Sequence, residues 1–190
     1  MSIQLLPSDV QEDLLLAFDM APVGLLVSRR RVVQSHNRAF SAMFGYAPGA
    51  LEGKSLACLY PSTSEFEHTG DRALLVMRDK ALYSDERIMK RADGRLFWCQ
   101  VSGQAIDRAD PFSAAVWVFE DISQKRPVTA QLTSREREVV QFLVLGKSSK
   151  EIGKLLGIGY RTVEAHRARL MRKFGVGTSN ELIARLIGHN

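Results

Sequence analysis

The apolar and polar positions follow two different patterns along the chain. Up to residue 124, short apolar runs alternate with a period of two and are separated by turn signals, which is typical of β-strands. From residue 132 onward the apolar positions recur every three or four residues, as on one face of a helix. The polar stretch QKRPVTAQ lies between them, and its Pro127 suits neither a helix nor a central strand. We therefore expect one domain over residues 1–124, a linker over 125–131 and a second domain over 132–190.

The first domain is expected to be of the α+β class, with five strands. The strands are predicted at residues 23–27, 31–35, 83–90, 96–103 and 114–122. Helices are predicted over 37–44, over 65–80 and near the N-terminus, where Ser8 is suited to cap a helix that carries Leu14, Leu15 and Phe18. The dipeptide Asp93-Gly94 predicts a tight hairpin between the third and fourth strands. This order favours an antiparallel sheet with short helices on one face.

The last third of the chain is expected to be all-α, with four helices. Thr133 with Glu136, and Ser148 with Glu151, have the spacing of capping boxes, so each pair marks the start of a helix. A third helix is predicted over 161–174, and a fourth follows Thr178 with the apolar residues Leu182, Ile183, Leu186 and Ile187. Because the short turn Gly157-Ile158-Gly159 joins the second and third helices, the pattern is that of a helix-turn-helix.

The positive charge of the chain is concentrated in this helical part. Residues 129–190 contain 11 Lys and Arg and 5 Asp and Glu, a net charge of +6, whereas residues 1–128 contain 15 and 16, a net charge of −1. A basic end joined to a neutral body suggests nucleic-acid binding. The alternative is a basic helix face that is merely solvated, which is common.

The third of the four helices separates its apolar side chains from its basic ones. On a helical wheel Val163, His166, Leu170 and Phe174 fall on one face, which we expect to face the core. The opposite side carries Arg161, Glu164, Ala165, Ala168, Arg169 and Arg172. Small alanines allow a helix to approach a groove floor, and arginines reach phosphates or guanine edges. Five Lys or Arg with one Glu in this helix favour nucleic-acid binding over a solvated surface.

Six short segments of the first domain resemble a PAS sensor domain. They are Asn37-Arg38-Ala39-Phe40, Phe44-Gly45-Tyr46, Leu51-Glu52-Gly53-Lys54, Arg91-Ala92-Asp93-Gly94, Phe97-Trp98 and Glu120-Asp121-Ile122-Ser123. The resemblance covers about residues 10–124. It implies a curved five-stranded sheet around a small cavity, which senses a ligand, a redox state or light, or mediates dimerisation. Independently of it, Asp121 ends the last predicted strand, where its carboxylate is placed to cap the exit to the linker.

The second domain is similar to LuxR-type helix-turn-helix domains over nearly all of residues 130–188. The matching segments are Leu132 to Val140, Lys150-Glu151-Ile152, Thr162 to Arg167 and Lys173 to Val176. The resemblance implies that Glu164, Ala165 and Ala168 face the bases and that Ser149, Lys150, Thr162, His166 and Arg167 contact the DNA backbone. It also makes the fourth helix a candidate dimerisation surface.

Three positions depart from the LuxR-type pattern. Gly153 stands where a small residue, usually alanine, packs the second helix, and Gly159 stands where a serine commonly caps the recognition helix. The cap of that helix, or one phosphate contact, is therefore in doubt. Glu164 is acidic where several relatives carry a basic or polar residue, which indicates recognition of cytosine N4 rather than guanine.

The remaining chemistry points away from catalysis. No nucleophile, phosphate-loop or zinc-protease motif is found, so we expect no enzyme activity, and the scattered histidines and two distant cysteines indicate no metal site or disulfide. No stretch suits a membrane span or a signal peptide, so a cytoplasmic protein is expected. Flavin photochemistry is disfavoured because Leu56 stands at the position of the reactive cysteine. A haem sensor needs an axial histidine, for which His68 is the candidate, with a solvated histidine as the alternative; otherwise the cavity holds an unidentified small ligand or none.

These observations predict a one-component transcriptional regulator. Its PAS domain senses a signal or mediates dimerisation, and its helix-turn-helix binds an operator in the major groove of double-stranded DNA. A homodimer and contact with RNA polymerase are expected, and no membrane partner. The alternative is a protein-interaction module that acts on RNA polymerase or a partner regulator and has only incidental DNA affinity.

Overall fold

The computed structural model describes residues 7–80, 82–124 and 132–186, and it contains an antiparallel sheet domain followed by a helical domain. The first domain consists of α1 (Ser8–Met20), β1 (Gly24–Arg29), β2 (Val32–His36), α2 (Arg38–Phe44), a 3-10 helix (Leu56–Leu59), α3 (Thr63–Lys80), β3 (Leu82–Lys90), β4 (Leu96–Ala105) and β5 (Ala115–Asp121). The second consists of α4 (Ser134–Val144), α5 (Ser149–Leu156), α6 (Tyr160–Phe174) and α7 (Ser179–Leu186). The predicted fold class is confirmed.

The five strands form one sheet in the order β2-β1-β5-β4-β3, and all neighbours are antiparallel. β5 therefore lies in the centre, and the two hairpins flank it. The hairpin between β3 and β4 turns at the predicted dipeptide, where Gly94 has a φ of +84°. The elements α2, the 3-10 helix and α3 lie between β2 and β3 in the chain. They cover one face of the sheet, where their buried side chains share a core with it.

Side chains on the two faces of the sheet belong to different hydrophobic clusters. On the helix-covered face, Phe97 and Cys99 of β4 pack in one core with Phe40 and Phe44 of α2. On the other face, Trp98 and Ile88 are only 1% exposed and share a cluster with Leu132, Val139 and further apolar residues of the helical domain. The strand alternation thus provides each domain with part of its core.

Asn37 joins three elements of the first domain through its buried side chain. Its Oδ1 accepts hydrogen bonds from the backbone N–H of Leu25 and of Phe40, both at 2.9 Å, so it caps α2. Its Nδ2 donates to the carbonyl oxygens of Phe18 (3.1 Å), Ala21 (3.3 Å) and Val23 (2.9 Å). The end of α1 is therefore fixed to the sheet, although no residue of α1 itself is buried.

Some sequence-based boundaries are corrected by the structure. Ser8 is the first helical residue rather than the cap; Pro7 precedes α1 and no side chain caps that helix. The 3-10 helix was not predicted, because four residues are too few to show a helical period. The predicted linker over 125–131, with its residue Pro127, and Ile187 lie outside the described residues. Within those residues, no helix combines the length and apolar character that a bilayer crossing requires.

Candidate functional site

The helix-turn-helix is built by α5, α6 and the three-residue turn between them. Ser148 and Glu151 form the predicted capping box at the start of α5, and Gly157 ends that helix with a φ of +65°. A Cβ atom on Gly153 would lie 2.7 Å from the carbonyl oxygen of Ile158. The turn therefore passes so close to α5 that glycine is required at position 153, where a small residue was expected. This close approach fixes where α6 begins.

The predicted DNA-facing side of α6 is open to solvent. Val163 and Leu170 of α6 are fully buried, so the opposite side of the helix points outward. Eight of the predicted contact residues are exposed: Lys150, Arg161, Thr162, Glu164, Ala165, Ala168, Arg169 and Arg172. The structure brings these eight together on one surface of the domain, which we call the α5–α6 surface.

The other three predicted contact residues are less accessible. Arg167 is half-buried, and its guanidinium donates to the hydroxyl oxygens of Ser149 and Ser179, both at 2.7 Å. It thereby joins α5, α6 and α7, and Ser149 itself is buried. Glu164 Oε1 lies 3.5 Å from Arg167 Nη1. Arg167 and Ser149 thus hold the three helices together, a role that the sequence pattern did not reveal.

His166 is half-buried and close to several arginines. Burial lowers the pKa of its imidazole, and Arg169 and Arg135 lower that pKa further. The neutral ring is therefore favoured, so His166 can exchange hydrogen bonds with a phosphate but adds no positive charge near neutral pH.

The side-chain cap of α6, which the glycine at position 159 put in doubt, is absent. Gly159 precedes the helix, and no side chain caps it. Its carbonyl oxygen accepts from Thr162 N at 3.0 Å, so α6 begins through backbone bonds alone.

The net charge of the α5–α6 surface is positive because most carboxylates of this domain lie outside it. Glu136, in α4, is buried; its carboxylate pairs with Lys173 Nζ at 2.5 Å and accepts from the backbone N–H of Thr133. Burial raises the pKa of Glu136, but the bonds from Lys173 and Thr133 lower it more, so the net shift is downward from 4.5. Arg161, Arg169, Arg172 and Lys150 remain exposed toward solvent.

The first domain contains a small cavity of about 20 Å³ between the sheet and α3. Trp117 and Phe119 of β5 contribute to its wall together with Thr69, Gly70 and Ala73 of α3. Two arginines, Arg31 and Arg87, also line it. The sequence predicted a cavity through the PAS resemblance; of the lining residues it had singled out Leu56, as the counterpart of a flavin-reactive cysteine, but neither arginine. The strand aromatics were expected only in the core.

The charge of Arg87 is balanced by a carboxylate inside the domain. Its side chain is 3% exposed; its Nη2 lies 2.5 Å from Asp85 Oδ1, and its Nη1 donates to the hydroxyl of Tyr60 at 2.5 Å. The adjacent carboxylate raises the pKa of Arg87 although burial lowers it.

The position of His68 contradicts the expectation that it could be a haem ligand in the cavity. His68 does not line the cavity. Its Nδ1 lies 2.6 Å from Glu138 Oε1 of α4, and its side chain is 44% exposed at the contact between the two domains.

The two domains meet through α3 and α4 and through the sheet face that carries Ile88 and Trp98. Arg137 of α4 is 9% exposed and Glu65 of α3 is 3% exposed. Arg137 Nη2 and Nε donate to Glu65 Oε1 at 2.6 Å and 3.1 Å. Arg72 of α3 also lies over the ring of Phe142, 5.1 Å from its centre. No pattern in the sequence indicated this contact, because the paired residues are 72 positions apart.

Two protein families match the chain in separate regions. Residues 22–124 match the PAS domain family, and residues 130–186 match the luxR family of bacterial regulatory proteins. Among curated relatives, the transcriptional regulatory protein TdiR of Thauera aromatica is 39% identical over 84 residues, which are 40% of this chain and 37% of TdiR. The first curated relatives that the chain matches are longer proteins, of which it spans 20% to 37%.

Two solved structures resemble different extents of the chain. One is the PAS domain, in complex with ethanol, of a LuxR-family transcriptional regulator from Burkholderia thailandensis. It is 50% identical, its match covers 57% of this chain and 96% of that one, and the TM-score is 0.56. The other is the VqmA dimer of Vibrio cholerae, which is 19% identical; its match covers 94% of this chain and 88% of that one, with a TM-score of 0.55. The second likeness concerns the fold alone.

Proposed function

The chain belongs to the PAS-domain proteins that carry a luxR-family DNA-binding domain, and from that premise we propose that it is a one-component transcriptional regulator. Its α5–α6 surface binds the major groove of an operator, and its PAS domain senses a small molecule. The observation that carries the proposal is the exposure of Arg161, Arg169 and Arg172 together with Ala165 and Ala168 on one side of α6. Such a surface combines phosphate contacts with close approach to base edges.

Within this proposal the contact residues have separate roles. Glu164, Ala165 and Ala168 face the bases, and Lys150, Thr162, Arg169 and Arg172 contact phosphates. His166 contributes a neutral hydrogen-bonding ring. Arg167 contacts a phosphate while its guanidinium stays hydrogen-bonded to Ser149. Its replacement should therefore disturb the packing of α5 as well as DNA affinity.

We further propose that the regulator acts as a homodimer, so that two copies of α6 read two half-sites about one helical turn apart. Support comes from α1, where Leu14, Leu15 and Leu16 are 55%, 69% and 59% exposed. Apolar side chains at three consecutive positions are suited to a partner that covers α1. VqmA, which shares the fold, is described as a dimer. We also propose RNA polymerase as a further partner and the cytoplasm as the location, because a promoter-bound regulator works beside both DNA and polymerase.

The PAS cavity is the proposed site of the signal. The related PAS domain from Burkholderia thailandensis is in complex with ethanol, a molecule of three heavy atoms. A cavity of about 20 Å³ is consistent with a ligand of that scale. Because α3 lines the cavity and also holds Arg137 through Glu65, we propose that α3 transmits the signal to the DNA-binding domain.

The full-length chain allows a direct test by fluorescence anisotropy with duplex DNA at several salt concentrations. Affinity should fall steeply with salt, and each lost phosphate contact should reduce the slope of log K against log [salt] by about 0.9. Arg169→Gln and Arg172→Gln should each show this reduction. The matched control is Arg95→Gln, an exposed arginine that pairs with Asp93 in the β3–β4 hairpin. Salt-independent binding, or equal slopes for all variants, would favour a protein-interaction module instead.

A further inference from the structure

The turn between β1 and β2 holds two arginines in an unusual backbone conformation. Arg30 and Arg31 have φ values of +50° and +62°, in the left-handed region that normally favours glycine or asparagine. Two adjacent left-handed residues with full side chains cost free energy, and they persist where the surrounding structure holds them. Of the two side chains, Arg30 is exposed and Arg31 is half-buried, where it lines the cavity.

The Arg31 guanidinium is fixed by contacts that leave its charge without a carboxylate. It lies over the ring of Phe66, 3.4 Å from the ring centre, and Phe112 is 5.3 Å away. Its Nη2 donates to the carbonyl oxygen of Phe66 at 2.6 Å. Burial lowers the pKa of Arg31, and Tyr60, Asp71 and Glu67 oppose this effect without outweighing it. Within the described residues, no carboxylate forms an ion pair with Arg31.

Gly70 of α3 makes room for this guanidinium. A Cβ atom at position 70 would lie 2.6 Å from three atoms of the Arg31 guanidinium. Glycine inside a helix is unfavourable by about 0.5–1 kcal/mol relative to alanine, so its presence in the middle of α3 needs a reason. The close approach of Arg31 is the reason that the structure offers.

The rest of the cavity determines which ligand suits Arg31. Arg87 is already paired with Asp85, so Arg31 is the cation available to an incoming group. The other polar side-chain groups of the wall are the hydroxyls of Tyr60 and Thr69 and the indole N–H of Trp117, which already donates to Ser28, and the remaining lining is apolar. The volume of about 20 Å³ exceeds the roughly 10–15 Å³ that one water needs, which restricts the ligand to a molecule of few heavy atoms.

We propose that the PAS cavity binds a short-chain organic carboxylate, whose oxygens pair with the Arg31 guanidinium. This inference rests on the proposed sensor function and specifies the chemical class of its signal. A guanidinium binds carboxylates through strong charge-assisted hydrogen bonds. The half-buried position of Arg31 reduces competition from water, and the aromatic rings on its flank hold it in place. A neutral molecule of the same shape would leave the charge of Arg31 uncompensated.

Titration calorimetry of the full chain with acetate and propionate tests the proposal. Acetamide is the neutral isostere, and chloride at equal ionic strength is the control for nonspecific anion effects. Both carboxylates should bind, and acetamide should bind at least about tenfold more weakly. To locate the ligand, the two tryptophans can be labelled as 5-fluorotryptophan. The ¹⁹F resonance of Trp117, which lines the cavity, should shift, and that of Trp98 should not.

Three variants separate a ligand site from a structural clamp. Arg31→Gln should weaken acetate binding at least about tenfold, while Arg30→Gln, in the same turn but exposed, should change it less than about twofold. Gly70→Ala keeps the charge of Arg31 but displaces the guanidinium, so it should weaken binding as Arg31→Gln does. The helix propensity of alanine offsets part of the cost of displacing Arg31, so this variant should still fold, which circular dichroism checks.

Several results would overturn the proposal. Equal affinity for acetate and acetamide, unchanged binding by both Arg31→Gln and Gly70→Ala, or a shift of Trp98 instead of Trp117 would each show that Arg31 only clamps α3. If ethanol or another neutral molecule shifted the Trp117 resonance while carboxylates did not, the sensor function would stand and the ligand class would be wrong. If the unmodified chain bound no duplex DNA in the anisotropy titration, the proposed function itself would be contradicted.

Discussion

Replacing Glu65 with glutamine should weaken the docking of the two domains, which is otherwise supported by the apolar contact of Trp98 and Ile88 with the helical domain. The carboxylate of Glu65 receives three hydrogen bonds from Arg137, at 2.6, 3.1 and 3.3 Å. The glutamine amide has nearly the same shape but no charge, so the guanidinium would remain buried with only neutral acceptors. These are the carbonyl oxygen of Leu132 at 2.6 Å and the hydroxyl of Ser134 at 3.3 Å.

The magnitude follows from the burial of the pair. Removing one partner of a buried ion pair typically costs about 3–5 kcal/mol, because the other charge is left uncompensated. Here Arg137 can escape that cost by moving into water when α4 leaves α3, so the loss is limited to the free energy of docking. The other polar contact at this interface, His68 with Glu138, is partly exposed and should contribute no more than about 1 kcal/mol. A loss of about 3 kcal/mol would lower the ratio of docked to undocked molecules by about two orders of magnitude.

Hydrogen exchange and a double-mutant cycle measure this effect. In Glu65→Gln the backbone amides at the contact of α3 and α4 should lose protection, and a single thermal transition should become two. Glu67→Gln, an exposed glutamate of the same helix, is the matched control and should behave like the unmodified protein. The cycle of Glu65→Gln with Arg137→Gln should give a coupling free energy of at least about 1.5 kcal/mol.

The reasoning would be refuted by either of two results. If Glu65→Gln and Glu67→Gln gave the same exchange rates and the same melting curve, the buried pair would not hold the domains together. If the coupling free energy were below about 0.5 kcal/mol, the two charges would act independently, and their contact could not carry a signal.

Three further predictions concern DNA specificity, assembly and pH. Glu164→Ala should reduce discrimination at one base pair by about 1–3 kcal/mol, whereas Arg172→Ala should weaken binding to all sequences alike; selection from a random duplex library measures both, and identical preferences would contradict the assigned faces. Leu15→Glu should give folded monomers by light scattering and weaker operator binding by fluorescence anisotropy, with Ala17→Glu as the control on the same helix. Persistent dimers or an unfolded chain would exclude α1 as the interface. The pKa of Glu136 lies below 4.5, so the stability that its pairing with Lys173 supplies is present above pH 4.5 and is lost as pH falls through the folded-state value. Glu136→Gln should therefore flatten the fall of Tm below pH 4.5, and an unchanged acid limb would show that this pair does not contribute.

Features that depend on neighbouring residues could be predicted from the sequence. The capping boxes at Thr133 and Ser148 form as their three-residue spacing requires. The Asp93-Gly94 turn and the Asp121 cap, whose Oδ1 accepts from Ser123 N at 2.8 Å, are equally local. Ser8 shows the limit of this approach, because a residue with good capping chemistry lies one position inside the helix that it was expected to start.

Features that depend on distant residues could not be predicted. The requirement for glycine at position 153 comes from the path of the following turn, and the requirement at position 70 comes from a side chain in another hairpin. Arg167 resembles any other arginine of a basic helix until Ser149 and Ser179 are placed beside it. Likewise, nothing in a one-dimensional pattern distinguishes Glu65 from Glu67, although one is buried against Arg137 and the other is exposed.

The helix α3 contacts both the cavity and the DNA-binding domain. Thr69, Gly70 and Ala73 line the cavity, while Glu65 and His68 contact α4 from the same helix. If a ligand shifts α3 enough to change the docking equilibrium by some factor, docking must change the affinity for that ligand by the same factor. In the proposed signalling role of α3, the buried charge of Arg137 favours two arrangements, one with its guanidinium paired with Glu65 and one with it hydrated, because intermediate positions satisfy the charge poorly.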